Sequence, residues 1–128
     1  MLETGLQGFA EEMVTEEKSA AKMGSGELPV YATPCMIALI EKAAWTSVAG
    51  ELEEGQGTVG TALDVKHVAS TPLGLKVTAK TTLTEIDGRR LVFKVEVNDE
   101  KGLIGEGTHE RFIIYNEKFL KRAQQKKA

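Results

Sequence analysis

Three side chains in this sequence are chemically out of keeping with their neighbours: Thr33, Glu41 and His67. Glu41 interrupts the run Met36-Ile37-Ala38-Leu39-Ile40, which resumes after Lys42 as Ala43-Ala44-Trp45. An unpaired carboxylate buried in such a run is costly, so Glu41 needs a partner or a raised pKa. An isolated Glu there more often marks a narrow solvent stripe, as Lys42 does. Spacing argues for more, because Thr33, Ile37 and Glu41 recur at intervals of four and share one helix face. His67 falls in the alternating set Val59, Thr61, Leu63, Val65, His67, which is predicted to point at the helix. A lone histidine on an apolar face is usually a satisfied core residue. Opposite a hydroxyl and a carboxylate it gains a chemical reading. Imidazole exchanges protons near neutral pH, a carboxylate orients it or activates water, and a hydroxyl attacks or holds a water.

Other groups carry weaker signals. Cys35 sits in the first turn of the same helix, where the dipole could lower a thiol pKa, although a small buried hydrophobe is the commoner role. Gly60 breaks its strand and could free a backbone N–H for an oxyanion, or be an ordinary bulge. The polar run Gly105-Glu106-Gly107-Thr108-His109-Glu110-Arg111 reads as cross-strand or dimer-interface pairing; no helix opens after its glycines, so it is no phosphate loop. Lys118, Lys121, Arg122, Lys126 and Lys127 read as a solvated helix face that could also meet coenzyme A phosphates.

The elements that must position these groups follow from periodicity. Phe9 to Lys18 reads as a first strand, and Gly24-Ser25-Gly26 then breaks the chain. Thr33 as N-cap and Pro34 at the first helical position open a helix through Val48, apolar around most of its circumference and so expected to be wrapped by other structure. Four strands follow: Thr58 to Ser70, Leu75 to Ile86, Leu91 to Val97 and Leu103 to Tyr115, with Asp87-Gly88 a tight turn. Gly105 and Gly107 predict a bulge or a close backbone approach in the last strand. A charged helix from Glu117 to about Gln125 ends the sequence. Short turns between successive strands imply an antiparallel meander, and only the Pro34 to Val48 helix is apolar enough to cover it. The expected architecture is α+β: one curved antiparallel sheet around one long central helix, as in a hotdog fold, with a helix-grip arrangement the alternative.

Composition narrows the function classes. At 128 residues the chain is read as one domain, 1 to 128. A net charge of −3 argues against a nucleic-acid surface. No apolar run suggests a membrane span, and Glu3, Glu11 and Glu12 do not fit a signal peptide, so a cytoplasmic location is expected. One cysteine and two histidines leave few metal ligands, and no metal or cofactor is expected.

From about Tyr31 to Arg111 the sequence resembles the fluoroacetyl-CoA thioesterase-like branch of the hotdog superfamily. The resemblance lies in A-T-P-C-M-I-A-L-I-E at Ala32 to Glu41 and G-T-A-L-D-V-K-H-V-A-S-T-P-L-G at Gly60 to Gly74. It continues in G-R-R-L-V-F-K-V-E-V at Gly88 to Val97 and G-E-G-T-H-E-R at Gly105 to Arg111. It implies an acyl-CoA thioesterase with Thr33, Glu41 and His67 catalytic, Gly60 lining the acyl pocket and Arg111 at the substrate site. It also implies a homodimer or higher homo-oligomer, with coenzyme A entering only as part of the substrate. The segment before the helix, Gly24-Ser25-Gly26-Glu27-Leu28, lacks the aromatic residue that covers the pocket of the fluoroacetate enzyme; Tyr31 is the nearest ring. A short-chain or unidentified acyl-CoA is therefore the expected substrate. Two other readings remain: a module that binds an acyl-CoA or apolar ligand without turnover, and a hydratase, whose Asp and His pair has no match here.

Overall fold

The computed structural model describes residues 1–127. Strand β1 (Gln7–Met13) leads through a 3-10 turn (Glu16–Lys18) and the short helix α1 (Ala20–Met23) to the long helix α2 (Thr33–Ala49). Strands β2 (Gln56–His67), β3 (Lys76–Asp87), β4 (Arg90–Asp99) and β5 (Gly102–Tyr115) follow, then α3 (Asn116–Gln124). All pairings are antiparallel in one sheet of order β1-β3-β4-β5-β2, which leaves β1 and β2 as its edges. The first strand ends five residues sooner than the expected Lys18, because the chain turns where Val14 bonds to Leu75 and its side chain enters the core.

Alternation decides which sheet face meets α2. Val77, Ala79, Thr81 and Leu83 of β3 and Leu91, Phe93, Val95 and Val97 of β4 are all buried, and α2 packs across these strands with Met36, Leu39, Ile40, Ala43, Ala44 and Val48. Burying the Val, Leu, Ile, Phe and Met side chains among these stabilises by about 1.5–3 kcal/mol each, which anchors the helix on the sheet. The sheet covers one side of α2 only. Along the other side Thr33, Ala38, Lys42, Trp45 and Ala49 are exposed, with Ile37 and Glu41 intermediate. The expectation of a helix wrapped on most of its circumference is corrected accordingly: five strands from one chain do not reach round it.

Strand β2 corrects a second expectation. Its register against β5 shifts between Gly60 and Ala62. Gly60 pairs with Arg111 before the shift, and Leu63, Val65 and His67 pair with His109, Gly107 and Gly105 after it. Directly opposed residues point to the same face. The extra residue therefore inverts the alternation, so that Gly60 and His67, an odd number of positions apart, both face α2. Val59, expected on the His67 face, lies opposite Phe112 on the outer one. The glycines of β5 stand at both a bulge and a close approach: the register against β4 skips Ile104 between Leu103 and Gly105, a Cβ on Gly107 would lie 2.0 Å from the Asp64 carbonyl oxygen, and one on Gly105 would lie 2.6 Å from Met36 Sδ.

Candidate active site

The first turn of α2 places Thr33 one residue later than expected. Ala32 is the N-cap, and the Thr33 hydroxyl makes no capping bond. It lies instead 2.8 Å from Nδ1 of His67, at the end of β2. The other ring nitrogen, Nε2, is shielded from solvent and has no partner among the described residues. Burial lowers the His67 pKa from its ordinary 6.5, so the ring is neutral at physiological pH. Tyr31 stands edge-on to it at 6.5 Å between centroids, with its own hydroxyl bonded to Glu12 at 2.5 Å. Pro34 has no amide hydrogen, and the Cys35 and Met36 amides both bond the Ala32 carbonyl. The Thr33 N–H is the donor this turn has not committed, at the positive end of the helix dipole. A cleft lined by Ser25, Val30, Tyr31, Thr33, His67 and Ala69 opens beside the pair.

Glu41, Gly60 and Arg111 form a second group. Arg111 is buried, donating from Nε to Thr58 Oγ1 at 2.8 Å and from Nη2 to the Thr58 carbonyl at 2.9 Å. Its Nη1 lies 3.5 Å from Glu41 Oε2, a long contact to a side chain that remains 40% exposed. Burial lowers the Arg111 pKa, and Glu41 opposes that shift. Gly60 is the floor of this group: a Cβ there would lie 2.6 Å from Glu41 Oε2, 3.2 Å from His109 Cε1 and 3.3 Å from Arg111 Nη1.

Thr33 and His67 thus meet, as do Glu41, Gly60 and Arg111, but the two groups do not meet each other within the chain. The helix separates Thr33 from Glu41 by eight residues, about 12 Å along its axis. His109 was missed as a site residue by sequence reasoning, which read its segment as cross-strand pairing. That reading holds for Glu110, whose carboxylate takes Arg90 Nε at 2.8 Å. His109 is two residues from Arg111 and shares its inward face, and period-two alternation was the signal that could have found it. Cys35 is buried, and burial raises its thiol pKa, which disfavours a nucleophilic thiolate. Among the described residues no group of three or more His, Cys, Asp or Glu side chains is placed to hold a metal ion, and no helix is long and apolar enough to cross a membrane.

Residues 14–117 match the family model of the fluoroacetyl-CoA-specific thioesterase. A curated fluoroacetyl-CoA thioesterase from Streptantibioticus cattleyicolor is 45% identical over 97 residues, 76% of this chain and 70% of the relative. The chain belongs to the fluoroacetyl-CoA-specific thioesterase family. A solved structure of a fluoroacetyl-CoA thioesterase superposes with a TM-score of 0.92 at 37% identity, covering 98% of both chains. A hot-dog-like protein from Thermanaerovibrio acidaminovorans superposes at 0.86 with 21% identity, covering 96% of this chain and 91% of that one, which speaks to the fold alone. As a member of the family the chain is a thioester hydrolase on the hotdog fold, as the sequence resemblance implied.

Proposed function

We propose that this chain hydrolyses a short-chain acyl-CoA to the free acid and coenzyme A, with Thr33, Glu41 and His67 catalytic. The observation that carries the reading is the 2.8 Å contact between the Thr33 hydroxyl and His67 Nδ1, at a helix N-terminus beside a cleft. The thioester carbonyl lies over that N-terminus, where the Thr33 N–H and the dipole stabilise the oxyanion. A neutral His67 can take the proton of a hydroxyl or water held by Thr33 and return it to the leaving thiolate side. Glu41 supplies the attacking oxygen, either directly through an anhydride or through a water that it activates. Single turnover in oxygen-18 water separates the routes, since label in Glu41 marks the anhydride. The chemistry requires no cofactor and no metal, and the setting is cytoplasmic. Because the segment through Ser25 beside the cleft carries no ring, the substrate class is short-chain acyl-CoA rather than fluoroacetyl-CoA alone.

The working unit is a homodimer formed along β2. This strand is an unpaired edge whose residues Gly60 to Asp64 are all exposed, and it adjoins the uncovered stripe of α2 with Ala38 and Trp45. Such an edge is a template for another strand, and a two-fold axis lets β2 pair antiparallel with its own copy. That operation turns the Thr33 and His67 end of one protomer towards the middle of its partner's strand, where the Glu41 group lies. One site then draws the hydroxyl and imidazole from one protomer and the carboxylate from the other.

A screen of acyl-CoA thioesters with a thiol-detecting reagent tests the activity; tight binding without thiol release would favour a binding module. Complementation tests the shared site. Glu41→Gln and His67→Ala are each expected to lose at least about 100-fold in kcat. After co-refolding at equal amounts, shared sites restore about a quarter of wild-type activity, because half of the dimers are mixed and each has one intact site. No recovery would place each site within a single protomer.

A further inference from the structure

Strand β5 carries a histidine that the reaction as described does not use. His109 is fully buried and stacks on Phe93 of β4, with ring centroids 6.2 Å apart and planes 29° from parallel. Both of its nitrogens are engaged: Nδ1 lies 2.9 Å from the Ala62 carbonyl oxygen, at the register shift of β2, and Nε2 lies 3.1 Å from Arg111 Nη1. Each partner can play one part only, since a carbonyl accepts and a guanidinium donates. The proton therefore sits on Nδ1, and Nε2 presents its lone pair to Arg111. An imidazolium would turn a second N–H against the buried cation.

Three contacts fix the guanidinium: Thr58 Oγ1, the Thr58 carbonyl and His109 Nε2. The fourth, to Glu41 Oε2 at 3.5 Å, is the longest of the set. Arg111 is thus placed by β2 and β5, and the half-exposed carboxylate of α2 comes to it. Removing the acceptor at His109 leaves a buried Nη1–H short of a partner and frees the guanidinium to leave its position under Glu41.

We propose that His109 is a positioning residue for thioester hydrolysis: its Nε2 lone pair holds Arg111 Nη1 where it meets one oxygen of Glu41, which leaves the other oxygen free for the substrate. The proposal rests on the role given to Glu41 above. The charged groups around the ring are Glu41 from α2 and Arg111 and Glu110 from β5, with Glu110 turned outward to Arg90. Strand β2 contributes the Ala62 carbonyl and Gly60, and β4 contributes Phe93. Burial foremost, reinforced by Arg111, lowers the His109 pKa against the pull of the Ala62 carbonyl, Glu41 and Glu110. The ring is neutral where the enzyme works.

Two independent readouts test this. Long-range proton–nitrogen correlation on the labelled full chain is expected to show one histidine protonated at Nδ1 and bare at Nε2, unchanged as pH falls through the ordinary histidine value, its signals lost in His109→Gln. Titration of that ring near the ordinary histidine value, or the opposite tautomer, overturns the bonded chain whatever the activity. In kinetics His109→Leu is expected to lose about 10- to 100-fold in kcat with KM changed less than about threefold. His109→Gln, whose side-chain carbonyl also accepts from Arg111, is expected to stay within about fivefold of wild type. Wild-type kcat in His109→Leu, or equal losses in both variants, overturns the positioning role. His109→Asn, too short to reach Nη1, takes the place of the leucine variant if that does not fold. Absence of thiol release by the wild type, with the nitrogen signature intact, overturns the hydrolase reading and the role of His109 with it, but leaves the hydrogen-bonded chain standing.

Discussion

Gly60→Ala probes the Glu41 group with a single carbon. Gly60 does not have the left-handed backbone that would bar alanine, so the substitution acts through space alone. The new Cβ would meet Glu41 Oε2 at 2.6 Å, while ordinary contact begins at 3.4 Å, so the carboxylate must retreat by about 0.8 Å. His109 and Arg111 are buried and held by several bonds, and their 3.2 and 3.3 Å contacts with that carbon are only slightly tight. The displacement therefore falls on the half-exposed Glu41 side chain. Its contact with Arg111 is already 3.5 Å and does not survive such a retreat. Crowding of about 1 kcal/mol is offset by the roughly 0.4–1 kcal/mol that alanine contributes by restricting the unfolded chain. The melting temperature should accordingly move by less than about 5 °C. Activity should not be spared, because a displacement approaching 1 Å costs about 10- to 100-fold in kcat. Thiol release and thermal melting of the same preparation read both quantities. Wild-type kcat with an unchanged melting temperature would show that the position of Glu41 over Gly60 has no bearing on turnover.

Thr33→Ser, which keeps the hydroxyl facing His67 Nδ1, should stay within about tenfold of wild-type kcat, whereas Thr33→Val should lose at least about 100-fold; equal rates for the two would remove the hydroxyl from the mechanism. Since burial lowers the pKa of His67 and the proposed mechanism needs the neutral ring, kcat/KM should hold as pH falls through 6.5 and decline only below it, and a decline centred above 6.5 would contradict the burial argument. Stability follows the same sign: with both histidines lowered when folded, the unfolded chain binds more protons below 6.5, so the melting temperature should fall as pH drops from there, and fall less in His109→Gln. Lys118 and Arg122 line a cleft with Arg89, Tyr115 and Phe119, and replacing both cations with alanine should raise KM for acyl-CoA severalfold but not for the matching acyl-pantetheine; an equal effect on the two would separate this cleft from the coenzyme A phosphates.

The strands were legible because alternation runs far along them, and through all of β4: each of Leu91, Phe93, Val95 and Val97 is buried where period two puts it. The helix was legible from Pro34 and the apolar run behind it, and its bounds differ from the expected ones by a residue at either end. Gly60 to His67 was not legible in phase. A register shift is a property of two paired strands, and nothing in the type of Thr61 or Ala62 announces that one of them opposes no residue of β5. His109 escaped for a related reason. Lying among Glu106, Thr108, Glu110 and Arg111, it belonged by composition to a polar surface, and only the inward side of that strand distinguishes it. Thr33 was found through its spacing to Glu41, yet the N-cap role assigned to it was wrong, because Ala32 is the N-cap and Thr33 already lies within the helix, its hydroxyl beside His67.

The register shift in β2 accounts for more of the site than any single side chain. Without it, strict alternation would put either Gly60 or His67 on the outer face, and one of the two groups would lose its floor or its imidazole. With it, one strand presents a bare position under Glu41 near its middle and an imidazole beside Thr33 at its end, and the carbonyl of Ala62 at the shift is the one that accepts from the His109 Nδ1–H. Thr33 and Glu41 themselves stand about 12 Å apart along α2, too far for one carbonyl carbon to touch both groups from a single protomer. An edge strand left open in the same stretch offers a way to close the gap, since antiparallel pairing with a copy reverses the order of the two groups and sets unlike ends side by side. In the homodimer proposed above, the exposed edge and the incomplete site would be one feature: the surface joining two protomers would also finish the chemistry.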